Sequence, residues 1–311
     1  MTINRHIAIL CNNRMALPAI QSLHEMGLLY AIGTPSGNKD IMDFCSVYAK
    51  QAGIPLIILK KETLIPQLNK LMLAGVKYAF TMTFPWKLPS EVLNRYSGRF
   101  YNFHYGLLPE MRGADPVFES LRQQRTETGI TVHSIEEQID CGPIIMKKIL
   151  PIDAFSTHGL LCTQLSYLGA NILPEVLTVI NNSINGIPQD EILAKYYKRP
   201  GAREVCINWE TQDAHSVQAL TRACNPWNKG AYTQWNGWNI RIVEAVAAEG
   251  IREERQIPGT VLSIEKSGGI TVQCSGNTQL NVDIIFTDEG FMPAYRLSGF
   301  GMKKGDRFFS I

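Results

Sequence analysis

The sequence predicts an α/β fold: a Rossmann-like, mostly parallel sheet followed by a small antiparallel β-barrel. Three observations carry this expectation. Short apolar runs alternate with helical patterns through the first third of the 311 residues. A tract rich in Asn, Gly, Pro, Lys and Tyr then interrupts the text at 181–203. Beyond it, many short strand-like runs are separated by turn residues.

The elements follow in order. Residues 7–10 form an apolar run of the kind that a buried parallel strand needs. Ala16, Ile20, Leu23 and Met26 are spaced for one face of a helix. Residues 28–32 read as a strand, and Ile41, Phe44, Tyr48 and Ala52 mark a second helix. A strand at 55–59, a helix at 64–73 and a strand at 78–82 complete a βαβαβ rhythm, which predicts a doubly wound sheet. A further strand ends near His104, a helix covers 117–124, and strands at 129–135 and 144–151 are joined through a turn at 140–143. One long helix is expected over 157–180. The domains read as 1–182, a linker at 183–205, and a barrel domain at 206–311, with a helix near 216–223 and strands near 230–235, 240–245, 259–264, 269–274 and 280–285.

Bulk properties narrow the class. Hydrophobic residues make up 45% and charged residues 19%, a globular balance. A net charge of +2 gives no strong pull toward nucleic acid or membrane. Seven cysteines, an odd count without a CxxC pair, argue against a zinc site or a disulfide framework, so no metal is expected. They point to a reducing cytoplasm. The first apolar run is too short for a signal peptide, and no stretch approaches a membrane span.

Parallel sheets place their sites at the carboxyl ends of strands. The first strand-to-helix turn, at 11–14, lacks GxGxxG, which disfavours an ordinary nicotinamide dinucleotide site. At 101–104 the text reads Tyr101-Asn102-Phe103-His104. On a strand, Asn102 and His104 share one face, and Tyr101 and Phe103 the packed one. Asp140, in a turn between later strands, can join them. These groups suit acyl transfer to an amine. A His titrating near neutral pH can take the amine proton. An Asn amide can donate to the developing oxyanion, worth roughly 3–4 kcal/mol of barrier. A carboxylate can orient the ring and stabilise its charged form. Taken alone, an N-x-H pair on a strand is more often structural, and a turn aspartate is commonplace.

A longer pattern changes that balance. Asn102-x-His104-x-Gly-Leu107-Leu108-Pro109-x-x-Arg112-Gly113, then a run from Gly129 to His133, then Ile139-Asp140-x-Gly142-Pro143, resembles the folate-dependent formyltransferase family in order and spacing. The resemblance implies Asn102, His104 and Asp140 as catalytic groups and 10-formyltetrahydrofolate as the formyl donor. It puts the folate pocket between 84–89 and 136–140, with Trp86, Leu88, Gln138 and Ile139 as binding candidates. A core-only role for Leu88 is the competing reading. Tyr105, Arg112 and His133 are the candidates on the acceptor side, and a cis peptide is implied at Leu108–Pro109. Many relatives carry His-x-Ser where this chain has His104-Tyr105-Gly106, which implies an altered acceptor.

Residues 220–227, 230–233, 236–237 and 258–262 resemble the C-terminal, OB-like domain of the tRNA-directed members, so tRNA enters as a possible acceptor. Two observations argue against it. Residues 203–311 hold 11 Lys and Arg against 12 Asp and Glu, whereas a tRNA-gripping surface should be basic. Trp227, Trp235 and Trp238 can stack on bases, but aromatic residues in a small barrel are more often core. The tRNA enzymes also carry a long basic insertion after the second strand, where this chain has only 34–40. The reading is an N-formyltransferase for a small amine, such as an amino sugar nucleotide or a natural-product amine. The alternatives are a methionyl-tRNA formyltransferase, a non-catalytic folate-binding module, and a cousin that hydrolyses the donor.

Overall fold

A computed structural model describes residues 5–182, 186–248 and 256–310. By internal contacts the chain forms two compact units. One holds Met1–Pro116, Glu127–Pro151 and Cys162–Tyr197, and the other holds Val117–Thr126, Ile152–Leu161 and Lys198–Ile311.

The first unit is built on a seven-stranded sheet. Its elements are β1 (Ile7–Cys11), α1 (Leu17–Glu25), β2 (Leu29–Pro35), α2 (Lys39–Ala52), β3 (Leu56–Leu59), α3 (Leu64–Leu73), β4 (Tyr78–Met82), α4 (Ser90–Arg95) and β5 (Phe100–His104). After β6 (Arg112–Gly113) come β7 (Glu127–Ser134), β8 (Ile144–Pro151), α7 (Leu173–Asn181) and β9 (Tyr196–Tyr197), whereas nearly all of α5 (Pro116–Arg122) and the start of α6 (His158–Asn171) group with the second unit. The sheet order is β3-β2-β1-β4-β5-β7-β8. The first five strands are parallel, and β7 and β8 run antiparallel to their neighbours. All five residues of β1 and all five of β4 are buried, as central strands covered on both faces must be. The chain leaves β1 toward β2 and returns on its other side at β4, so the order reverses there, and such reversals open crevices at strand carboxyl ends.

Two expectations change. The long helix at 157–180 is two helices. Pro174 stands in the first turn of α7, where its missing N–H costs nothing, but it cannot donate back into α6. The tract at 183–205 is not simply a linker. Tyr196–Tyr197 pairs in parallel with Arg112–Gly113, and Ile187 bridges Ile144. Residues 183–185 of that tract lie outside the described residues.

The second unit holds α8 (Ala214–Ala223) and six strands: β10 (Ala231–Trp235), β11 (Trp238–Ala248), β12 (Val261–Glu265), β13 (Gly269–Gln273), β14 (Gln279–Thr287) and β15 (Gly290–Pro293). Their order is β10-β11-β14-β13-β12, with β15 also pairing β14. The last residues close this sheet into the expected OB-like barrel. Phe309 bridges Gln234 of β10, and Arg307 bridges Thr260 beside β12. The core includes Trp209, whose indole donates to Thr233 Oγ1 at 2.9 Å, and Trp235, bonded to Asp306 at 3.1 Å. Trp227 and Trp238 are half-open. Among the described residues no helix is long and apolar enough to cross a membrane, and none of the seven cysteines is in a disulfide.

Candidate active site

β5 sets the site. Its parallel pairing with β4 aligns Thr81 with Asn102, and its antiparallel pairing with β7 aligns Asn102 with His133. Alternation puts Tyr101 and Phe103 against Phe80 on one face, at ring distances of 6.2 and 5.2 Å. Phe100, Asn102 and His104 then share the other, about 7 Å apart along the strand.

The hydrogen bonds fix which atoms face the centre. His104 is buried, and its Nε2 lies 2.7 Å from the Met111 carbonyl. A carbonyl only accepts, so Nε2 carries the proton and the neutral ring presents Nδ1. That Nδ1 lies 3.6 Å from Asp140 Oδ1. His133 donates from Nδ1 to the Ser134 carbonyl at 2.8 Å, which leaves Nε2 to accept from Asn102 Nδ2 at 3.2 Å. Thr81 Oγ1 donates to Asn102 Oδ1 at 2.7 Å, and Asn102 Nδ2 points at Asp140 Oδ1, 3.5 Å away. Only an NH2 can face a carboxylate favourably, so this orientation of the amide is set from both ends.

Asp140 is buried, with φ at +57°, in the left-handed region that an aspartate tolerates better than most residues. Its Oδ2 accepts the Gly113 N–H at 2.9 Å. Gly113 must be glycine: φ is +119°, and a Cβ there would sit 1.9 Å from the Tyr197 carbonyl oxygen. Burial alone would raise the Asp140 carboxyl, but the neighbouring His104 and the hydrogen bond from the Gly113 N–H outweigh it and hold it at about 2. Burial pushes His104 below its ordinary value, against the raising influence of Asp140. At neutral pH the pair is a carboxylate beside a neutral imidazole.

The other sequence candidates fall in different places. His133 joins the cluster, 3.7 Å from Asp140 Oδ1. Arg112 is buried, and its donors are turned to the chain itself: Gln189 Oε1 at 2.9 and 3.2 Å, and Glu191 at 2.6 and 2.9 Å. Tyr105 is buried too, its hydroxyl donating to the Met15 carbonyl at 3.4 Å, and no described hydrogen bond joins it to the cluster. Leu88 packs in the core with Val92, Leu93 and Tyr96. Trp86 is partly buried against that same core, and Gln138 and Ile139 are exposed. The Leu108–Pro109 peptide is cis.

A cavity of about 320 Å³ lies at the start of β5, lined by Leu93, Tyr96, Phe100 and Ile135 together with the polar residues Ser90, Asn94 and Glu136. The Tyr96 hydroxyl is buried and has no hydrogen-bond partner among the described residues. The sequence reading missed Thr81, the Met111 carbonyl and Gln189. Only Gly113, through the Arg-Gly motif, carried a signal.

A family model described as "Formyl transferase" matches residues 47–177, and one described as "Formyl transferase, C-terminal domain" matches 201–295. A methionyl-tRNA formyltransferase of Bacillus velezensis is 32% identical over 273 residues, spanning 85% of this chain and 84% of the relative. A solved sugar 3N-formyl transferase, crystallised in the presence of dTDP and 5-N-formyl-THF, has a TM-score of 0.68 at 20% identity over 89% of this chain and 97% of its own. An N-formyltransferase from Helicobacter canadensis, in complex with folinic acid and dTDP-3-aminofucose, has a TM-score of 0.67 at 17% identity over 89% and 98%. At such identities these structures speak for the fold alone. The matched sequence defines an enzyme of group transfer. The chain belongs to the formyltransferase family.

Proposed function

We propose that this enzyme transfers a formyl group from 10-formyltetrahydrofolate to the amine of a small molecule, with Asn102, His104 and Asp140 as its catalytic residues. The observation that carries the reading is the convergence of a neutral His104 Nδ1, the Asn102 NH2 and an ionised Asp140 at one strand end. The two folate-bound structural neighbours add support for the donor. When bound, that donor supplies an already activated formyl carbon, so no side-chain nucleophile is needed. Trp86, Gln138 and Ile139 are kept as the donor contacts of this reading, and none of them lines the cavity at the start of β5.

His104 Nδ1 takes the proton of the attacking amine. Asn102 Nδ2, loosely held at 3.2–3.5 Å, turns to the formyl oxygen as negative charge develops there. Asp140 remains ionised, stabilises the imidazolium of His104, and keeps the ring oriented. Thr81 keeps the Asn102 carbonyl turned away. His133, whose Nε2 carries no proton, serves as the resting partner of the Asn102 amide. In this reading Arg112 orders the loop that carries Gly113 and does not touch the acceptor.

Two observations favour a small acceptor. The barrel sequence has no excess of basic residues. Only residues 36–38 join β2 to α2, which leaves no room for the long basic insertion expected of a tRNA enzyme. The relative in Bacillus velezensis favours the second reading, methionyl-tRNA as acceptor. Release of tetrahydrofolate decides between them, with dTDP-3-aminofucose as one acceptor and charged initiator tRNA as the other. Faster turnover of the amino sugar nucleotide is expected, and efficient formylation of the tRNA overturns the preference. No turnover with any amine sinks the enzyme assignment of this site.

The pH dependence of kcat gives a second check. Because burial lowers the pKa of His104, the base form persists below the ordinary value of 6.5. The acidic limb of kcat is therefore expected below pH 6.5, with a flat response through neutrality. A limb centred above pH 7 contradicts a buried neutral His104 as base.

A further inference from the structure

We infer that Gln189 is a positioning residue that aims the Asp140 carboxylate at His104. The inference rests on the reading of Asp140 given above. Gln189 lies in the segment between the two family-matched stretches, and its side chain makes four hydrogen bonds. Nε2 donates to the carbonyls of Asp140 and Gly142, both at 2.8 Å. Oε1 accepts from Arg112 Nη2 and Nε at 2.9 and 3.2 Å.

These bonds join the two loops that place the carboxylate. Asp140 sits at positive φ, a conformation that a residue with a Cβ keeps only when its surroundings over-determine it. On the side-chain end, the Gly113 N–H holds Oδ2. On the main-chain end, Gln189 holds the carbonyl of the same residue. Through Arg112, the neighbour of Gly113, the same amide also ties down the loop that supplies that N–H. One primary amide therefore fixes both the residue carrying the carboxylate and the residue donating to it. A glutamine does this because it offers two donors and an acceptor on one planar group. Glutamate would keep the acceptor for Arg112 and lose both donors. Methionine would keep the shape and lose all four bonds.

Without the donors to the 140 and 142 carbonyls, that turn can relax toward negative φ and swing the carboxylate away from His104. His104 would then lose the charge that raises its pKa against burial. The test is an NMR titration of the His104 ring in the full-length protein. Wild type, Gln189→Met, Gln189→Glu and Asp140→Asn are compared, with thermal melting to show that each is folded. The six histidines are few enough to assign His104 by its substitution. Both Gln189 variants are expected to lower the His104 midpoint by roughly 0.5–1 pH unit, in the direction of Asp140→Asn. Gln189→Glu keeps the Arg112 pairing, so it remains the informative variant if Gln189→Met fails to fold.

An unmoved midpoint in the Gln189 variants, with a lowered one in Asp140→Asn, overturns the role of Gln189 alone. A lowered midpoint in Gln189→Met but not in Gln189→Glu also overturns it, since the bond that matters would then run to Arg112. An unmoved midpoint in Asp140→Asn shows instead that the reading of Asp140 has failed.

Discussion

His104→Ala is expected to lower kcat for formyl transfer by roughly 10²–10⁴-fold, the usual contribution of a positioned general base, while folate affinity stays near normal. The reason lies in which nitrogen is available. The Met111 carbonyl takes the proton on Nε2, so Nδ1 is the only ring atom able to accept a proton from the amine. No other imidazole can substitute, because His133 Nε2 already faces the Asn102 amide and its Nδ1 is committed to Ser134. The substitution bares one buried carbonyl, at a cost of about 1–3 kcal/mol in stability, which a melting curve separates from the catalytic loss. Tetrahydrofolate release under saturating donor gives the rate. A kcat within threefold of wild type would falsify the base assignment.

Asp140→Asn is expected to cost about 10³-fold or more in kcat and to change the acid stability of the protein. The catalytic part follows from the imidazolium that forms on His104, which loses the Asp140 carboxylate beside it. The stability part is a linkage effect. The folded carboxyl titrates at about 2, below its ordinary 3.8, so the folded state favours the ionised form. That preference contributes about 2 kcal/mol above the ordinary carboxylate range, and it is lost as pH falls from about 4 toward 2. Urea unfolding at pH 7 and near pH 2.5 should therefore show a smaller pH dependence in Asp140→Asn than in wild type. Equal slopes in the two proteins would show that the carboxylate is not held low. A kcat near wild type would show that it is not catalytic.

The main features of the fold were legible because they depend on period. The apolar runs at β1 and β4 and the helical spacing of α2 are local patterns. The face shared by Asn102 and His104 follows from alternation alone. The break between α6 and α7 was signalled by Pro174, and reading across it gave one helix too long. The pairing of Tyr196–Tyr197 with Arg112–Gly113 joins residues more than eighty apart, through two-residue strands that leave no periodic trace.

In the candidate site, types of side chain were readable but partners were not. Arg112 beside a reactive motif reads as a ligand contact, yet its partners Gln189 and Glu191 lie 77 and 79 positions away. Tyr105 adjoins His104 in sequence, but its hydroxyl is taken by the Met15 carbonyl. Main-chain acceptors such as the Met111 carbonyl carry no residue signature. The tautomer of His104, which decides the reacting atom, was therefore outside what any motif can state.

The segment that closes the barrel has a consequence for self-association. Through Phe309 and Gln234 it covers the outer side of β10, and through Arg307 and Thr260 it covers the approach to β12. Strand edges left open template the pairing of one copy with another. Residues 305–309 thus occupy strand edges on which another copy could otherwise pair. Loss of this short stretch would be felt first as precipitation at high concentration, before any change in the chemistry at His104.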